Sequence, residues 1–131
     1  MEDRAEHIIT SDINGDLLEG GRNYKLCLPG NIPASNFWSV IVYESLTKMI
    51  ICTDQMWPSV HSNCKNLVVN QDGSVDIFFG PHAPADKQCN WLQTLPGKGW
   101  YMILHLYDPL EAWFDKTWQC GEVEELAFKN T

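Results

Sequence analysis

Alternation of apolar and polar side chains dominates the chain. From Asn36 to Glu44, NFWSVIVYE places Trp38, Val40 and Val42 on one side of an extended backbone and Phe37, Ile41 and Tyr43 on the other, because successive strand residues point to opposite faces. Both faces are mostly apolar, which predicts a central strand. YMILHLYD repeats the pattern, with Met102, Leu104 and Leu106 opposing Tyr101, Ile103, His105 and Tyr107. SVDIFFG is cleaner still: Val75, Ile77 and Phe79 alternate with Ser74, Asp76 and Phe78 just after the turn signal Asp72-Gly73, which predicts a hairpin with the preceding NLVVN.

Weaker strands are predicted in HIITSD before Asn14-Gly15, NYKLCL after Gly20-Gly21, KMIICT from Lys48, and GEVEELAF near the end. About seven or eight short strands at regular turn spacing are the signature of a sandwich or barrel. One helix is expected. Asp108-Pro109-Leu110-Glu111 offers a capping carboxylate, a proline at the first helical position and a glutamate three residues after the cap. PLEAWFDK would then make two turns at most, pinned to a sheet by Trp113 and Phe114.

Length and charge narrow the class. A chain of 131 residues with 44% hydrophobic composition fits one all-β domain over residues 1–131, burying roughly two thirds of its unfolded surface. Seventeen acidic against nine basic side chains give a net charge of -8, a field that repels nucleic acid and anionic membrane. The first residues, MEDRAEHIIT, lack the apolar run of a signal peptide. The expected location is cytoplasmic if the chain is complete, and exported if it is a fragment of a longer precursor. Five cysteines, an odd number without a pairing pattern, suit free thiols better than a disulfide framework.

Several consecutive pieces carry a resemblance: PASNFWSVIVYE, MWPSVHS, DGSVDIFFGPHAPADKQCNWLQTLPGKGWYMILHLYDPLEAWFDKTW and GEVEEL. Over about His7 to Leu126 the chain resembles the C-terminal domain of a two-domain bacterial family known as domain of unknown function 1214, whose members usually carry a preceding domain numbered 1254. The resemblance implies a jelly-roll-like β-sandwich and no established activity. It also implies a partner: with no 1254 domain in this chain, an exposed face would be covered by a homodimer or by docking to a separate 1254-type domain. Two departures stand out. The family's Arg-Leu-Tyr-Gly is here His105-Leu106-Tyr107-Asp108, and its Gly-Lys-Glu-Ala-Asn-Trp is here Asp86-Lys87-Gln88-Cys89-Asn90-Trp91. Histidine cannot reproduce the fixed donor fork of arginine, which weakens any anion-binding role at position 105.

Residues 80–99, GPHAPADKQCNWLQTLPGKG, have neither strand nor helix period, and a structureless crossing of that length is uncommon unless functional or disordered. Two readings compete. In one, the segment is a lid over an aromatic pocket lined by Asn90, Trp91, Trp100, Phe78 and Tyr107, with Asp76 and His105 as polar groups, provided strands 74–79 and 101–107 pair. In the other, favoured one, Trp91 plugs an end of the core, the prolines stiffen the crossing, and Gly97 and Gly99 shape a turn.

Other chemistries are weakly signalled. His61, Cys64, His82 and Cys89 match no standard zinc spacing, so no metal and no cofactor are expected. Cys89, His105 and Asp76 could be drawn as a nucleophile, base and carboxylate, but no nucleophile elbow or phosphate loop is present. Asp76 has no evident second acid for glycoside chemistry, and Glu122, Glu124 and Glu125 read as a solvated edge strand. Six tryptophans and four tyrosines could instead supply platforms for a small molecule or carbohydrate, with Trp57 and Trp118 in loops the first to test. The expected function is therefore a non-catalytic ligand-binding or interaction module. The alternative is a small hydrolase or lyase using Asp76 and His105 under the 80–99 loop.

Overall fold

A computed structural model describes residues 4–55 and 58–126. Eight strands form two four-stranded sheets: β1 (Arg4–Ile9), β2 (Tyr24–Leu28), β3 (Ala34–Glu44), β4 (Ser59–His61), β5 (Val75–Gly80), β6 (Trp91–Gln93), β7 (Trp100–Pro109) and β8 (Val123–Glu125). The first sheet has the order β1-β7-β3-β4, the second β6-β5-β2-β8. The inward sets are those the alternation marks. Trp38, Val40 and Val42 of β3 and Met102, Leu104 and Leu106 of β7 face Leu26 and Leu28 of β2 and Val75, Ile77 and Phe79 of β5, all of them buried. This is the expected all-β sandwich, with two apolar faces closing on one core.

β3 and β7 are indeed central, and their pairing is the longest in the molecule, from Ala34 opposite Pro109 to Glu44 opposite Trp100. The expected hairpin of NLVVN with β5 does not form. The turn is present, with Gly73 at φ 87 and the Gly73 N–H donating to the Asn70 carbonyl at 2.9 Å, but β5 takes β2 and β6 as neighbours. KMIICT likewise contributes only an isolated bridge, Tyr43 to Ile50, and no strand.

The segment 80–99 is less irregular than its composition suggests. It holds a 3-10 turn at Gln88–Asn90 and then β6, which runs parallel to β5 with Phe78 opposite Trp91. A parallel neighbour cannot be reached by a tight hairpin. Residues 81–90 are therefore the crossover that parallel pairing demands. Beyond β6, Thr94 Oγ1 donates to the Gly20 carbonyl at 2.7 Å; a Cβ at Gly20 would run into the Leu95 carbonyl, so glycine is needed at that crossing.

The helix is shorter and later than expected. α1 covers Glu111–Phe114, its N-cap is Leu110 without a side-chain hydrogen bond, and Pro109 still belongs to β7. The capping box does not form because Asp108, at φ 55, and Pro109 both belong to β7, so the helix starts at Glu111 with Leu110 as its N-cap. Trp113 packs against the core as expected, whereas Phe114 is 47% exposed. No helix among the described residues is long and apolar enough to cross a membrane.

Candidate functional site

The structure separates the sequence-derived candidates. β5 and β7 lie in different sheets, so the pairing of strands 74–79 and 101–107 does not exist. Asp76 and Phe78 alternate with the buried residues of β5 and face outward from the second sheet; His105 and Tyr107 do the same on the outer side of the first. Both sheets, stacked about 10 Å apart, stand between Asp76 and His105. The two cannot share a proton or a substrate, and the Cys89, His105, Asp76 arrangement falls with them. Hydrophobic period specifies which face a residue occupies and leaves the partner strand open.

Each candidate has a local role. Asp76 accepts a hydrogen bond from Asn70 Nδ2 at 3.2 Å and lies opposite Cys27, whose thiol is pushed up by burial and by this carboxylate. His105, 7% exposed, has Tyr43 Oη 3.4 Å from Nε2 and Glu6 Oε2 3.4 Å from Nδ1. The Glu6 contact is electrostatic only, since Nδ1 has no hydrogen-bond partner among the described residues. Burial holds the imidazole below its usual range, with Glu6 opposing. Asn90 is 1% exposed, and its amide serves backbone groups. Trp91 Nε1 donates to the Gly80 carbonyl at 3.0 Å, and Trp100 is in the core, stacked on Phe79 at 4.7 Å. Tyr107 stacks on Phe37 at 5.5 Å, with the Arg4 guanidinium 6.0 Å from its ring.

Two further expectations change. Trp118 is mostly buried at 6% exposure, with Nε1 donating to the Pro29 carbonyl at 3.1 Å, and it also lines a cleft of about 440 Å³; Trp57 lies outside the described residues. His61 and Cys64 build a turn: Cys64 Sγ accepts from the His61 N–H at 3.3 Å, and His61 Nδ1 accepts from the Asn63 N–H at 3.2 Å. Among the described residues no three His, Cys, Asp or Glu side chains are grouped to hold a metal ion.

A different place has the shape of a site. β1 is an edge strand, and the facing edge, β8, has only three residues. The chain returning from α1 bridges this open side: the Trp118 N–H donates to the Ala112 carbonyl at 3.1 Å and the Gly121 N–H to the Cys27 carbonyl at 3.1 Å. Between them is a cleft of about 440 Å³ whose walls include His7, Trp113, Phe114, Lys116, Gln119 and Cys120. The His7 and Trp113 rings meet edge to face at 6.3 Å. Lys116 occupies a left-handed turn at φ 63, followed by Thr117, whose N–H and Oγ1 both donate to Asp115 Oδ1.

Its electrostatics disfavour a cysteine nucleophile. Burial pushes the His7 imidazole below its ordinary value, favouring its neutral form. Burial, with a smaller contribution from Cys27, pushes the Cys120 thiol up to about 12. A nucleophilic cysteine requires the opposite shift. By contrast, a concavity of about 320 Å³ at another end of the sandwich, walled by Phe37, Trp38 and Val69, has no titratable lining group. Of the residues singled out in the sequence for ligand binding, only Trp118 lines the 440 Å³ cleft; His7, Trp113 and Lys116 carried no ligand-binding signal there. The cleft's one signal was the aperiodic KTWQC, which contains a tryptophan that must be buried by something.

The model for the protein family of unknown function DUF1214 matches residues 4–111. The chain belongs to the DUF1214 family. The match stops at Glu111 instead of continuing to Leu126, so most of the cleft wall lies beyond the DUF1214 match. None of the curated proteins matches. Among solved structures, the chain is similar to the VPA0106 protein from Vibrio parahaemolyticus, at 21% identity and a TM-score of 0.80, covering 95% of this chain and 31% of that one. It is also similar to an uncharacterised protein from Burkholderia cenocepacia, at 14% identity and a TM-score of 0.58, covering 98% of this chain and 31% of the other. These likenesses establish a shared fold, and the DUF1214 chain spans about a third of the length of both relatives.

Proposed function

We propose that this DUF1214 domain is a non-catalytic binding module that takes a small molecule in the cleft between β1 and residues 113–120. The observation that carries the reading is the cleft itself: about 440 Å³ walled by Trp113 and Phe114, with His7, Lys116 and Gln119 as polar groups. Ligand sites are typically concave, largely apolar and furnished with few polar side chains. The Cys120 thiol, pushed up to about 12 by burial, is not an activated nucleophile. A hydrolase or lyase built on Asp76 with His105 loses its support, since the two occupy opposite outer faces.

A carbohydrate is disfavoured on the outer face of the first sheet. Tyr107 is stacked by Phe37 and approached by Arg4, and Tyr43 is stacked on Tyr101 at 5.4 Å, so these ring faces are already engaged. A second copy or a separate 1254-type domain, the partners the family resemblance suggests, would cover this half-buried aromatic face; sedimentation velocity tests the first.

The test of the binding reading is a thermal-shift screen of small aromatic compounds. A ligand of the native state raises the melting temperature by mass action. Hits are expected to lose their effect in Trp113→Ala. Hits that bind Trp113→Ala as well as the parent chain would place the site elsewhere.

A further inference from the structure

A second concavity of about 340 Å³ adjoins the first, and His7 and Cys120 line both. The two have opposite chemistry. The first has Lys116 with the aromatic rings of Trp113 and Phe114. The second has Asp12 and Glu122, with the hydroxyls of Thr10 and Ser11. Among the described residues, Lys116, Asp12 and Glu122 make no ion pair. Asp12 is 6% exposed. Its Oδ1 accepts the Asn14 N–H at 2.9 Å and the Asp16 N–H at 3.0 Å, while Oδ2 takes no hydrogen bond from a described residue.

We infer, resting on the binding reading above, that the joined cleft takes a zwitterion of amino-acid or short-peptide type, with its carboxylate toward Lys116, its ammonium toward Asp12 and Glu122, and an apolar side chain against Trp113. Three features of the groove support that class. The opposite charges line different concavities, Lys116 the first and Asp12 with Glu122 the second, and form no ion pair with each other. His7, which lines both concavities, and Gln119, which lines the first, supply polar groups for a peptide amide. The groove's size exceeds that of a single carboxylate or amine. A net charge of -8 would by itself favour a simple cation; the Lys116 end is what selects a ligand bearing a carboxylate as well.

The experiment titrates the full chain by calorimetry and NMR with L-phenylalanylglycine, its N-acetyl form, its C-terminal amide, and the doubly blocked neutral form. The zwitterion should bind most tightly, with each blocked charge weakening it by about tenfold, as expected for a charge-assisted contact. Lys116→Met should weaken the zwitterion and the N-acetyl form while sparing the amide. Glu122→Gln should weaken the zwitterion and the amide while sparing the N-acetyl form. If all four bind within about twofold of one another, and Trp113→Ala abolishes them, the cleft reading stands and the zwitterion falls. If none binds, the zwitterion falls while the aromatic screen still decides the cleft; if they bind and Trp113→Ala changes nothing, both fall.

Discussion

The side chain of Asn90 pairs with the backbone of Val68 as a neighbouring strand would: Oδ1 accepts the Val68 N–H at 2.9 Å and Nδ2 donates to the Val68 carbonyl at 3.0 Å. Nδ2 also donates to the Asp76 carbonyl at 2.9 Å. One buried amide thus joins the 66–70 arm, the crossover and β5. Asn90→Ala would leave those backbone groups without partners, so a loss of about 2 to 4 kcal/mol is expected. In a thermal melt that is roughly 10 °C. Asn90→Asp keeps the acceptor but loses the donors, and should be no milder. A melting temperature within about 2 °C of the parent would show that the clamp contributes little.

Asp76 and His105 provide a test of the sheet assignment itself. With both layers between them and no shared partner, Asp76→Ala and His105→Ala should be additive in a double-mutant cycle, within about 0.5 kcal/mol. Each alone should cost about 1 kcal/mol, the worth of an ordinary hydrogen bond. A coupling well above that limit would mean the two side chains communicate, which the sandwich forbids.

Much of this architecture was legible because burial and alternation are coupled locally. Val75, Ile77 and Phe79, or Met102, Leu104 and Leu106, name their own face without reference to any partner. What alternation cannot encode is the neighbour. Strands 74–79 and 101–107 both have the strong period of central strands, which leaves their pairing open; each is central, but in a different sheet. The hairpin with NLVVN failed for a related reason: a turn brings two arms close, yet the Asn90 side chain replaces the ladder that NLVVN would have made. Asn90 and Trp100 fit a ligand site and a structural role equally well in the sequence, because buried-looking polar and aromatic residues serve structure and recognition alike. The cleft depends on the open side between β1 and β8, a long-range fact with no short-range signature.

Acid should weaken the fold in two stages. His7 and His105 both have folded values pushed below the ordinary histidine value, chiefly by burial. Around His105 stand Glu6 and Arg4 of β1 and Tyr43 of β3. The unfolded chain therefore binds protons first. Their contribution is complete above about pH 6.5 and is lost as pH falls through the lower folded values. Glu44, Asp72 and Asp115, held low by hydrogen bonds to Lys98, Ser74 and Thr117, lose theirs at still lower pH. Urea midpoints should be flat from pH 8 to 7 and fall below, and His105→Gln should flatten the first stage. A midpoint that rises on acidification through that stage would reverse the assignment.

Alkylation separates the thiols. Cys52 is exposed, whereas Cys120 is kept protonated by burial, at about 12. Reaction rates follow the thiolate fraction and access. Iodoacetamide at pH 8 should modify Cys52 first and Cys120 last, with the order erased in urea, as read by mass spectrometry of digests. Rapid labelling of native Cys120 would restore the nucleophile that the cleft is argued to lack.

Trp100 allows two opposing terms to be weighed in one position. Its indole is 1% exposed, stacked on Phe79 and set edge to face with Tyr24 at 5.5 Å. Yet Nε1 is buried with no partner among the described residues. Trp100→Ala removes the whole ring and should cost about 3 to 5 kcal/mol. Trp100→Phe keeps most of the stacking area, opens a smaller void, and removes an N–H whose desolvation costs about 1 to 3 kcal/mol. The two terms nearly cancel, so Trp100→Phe should lie within about 1.5 kcal/mol of the parent chain by urea unfolding. If Trp100→Phe is as damaging as Trp100→Ala, the indole N–H contributes to stability and the ring's packing alone does not explain why a tryptophan stands there.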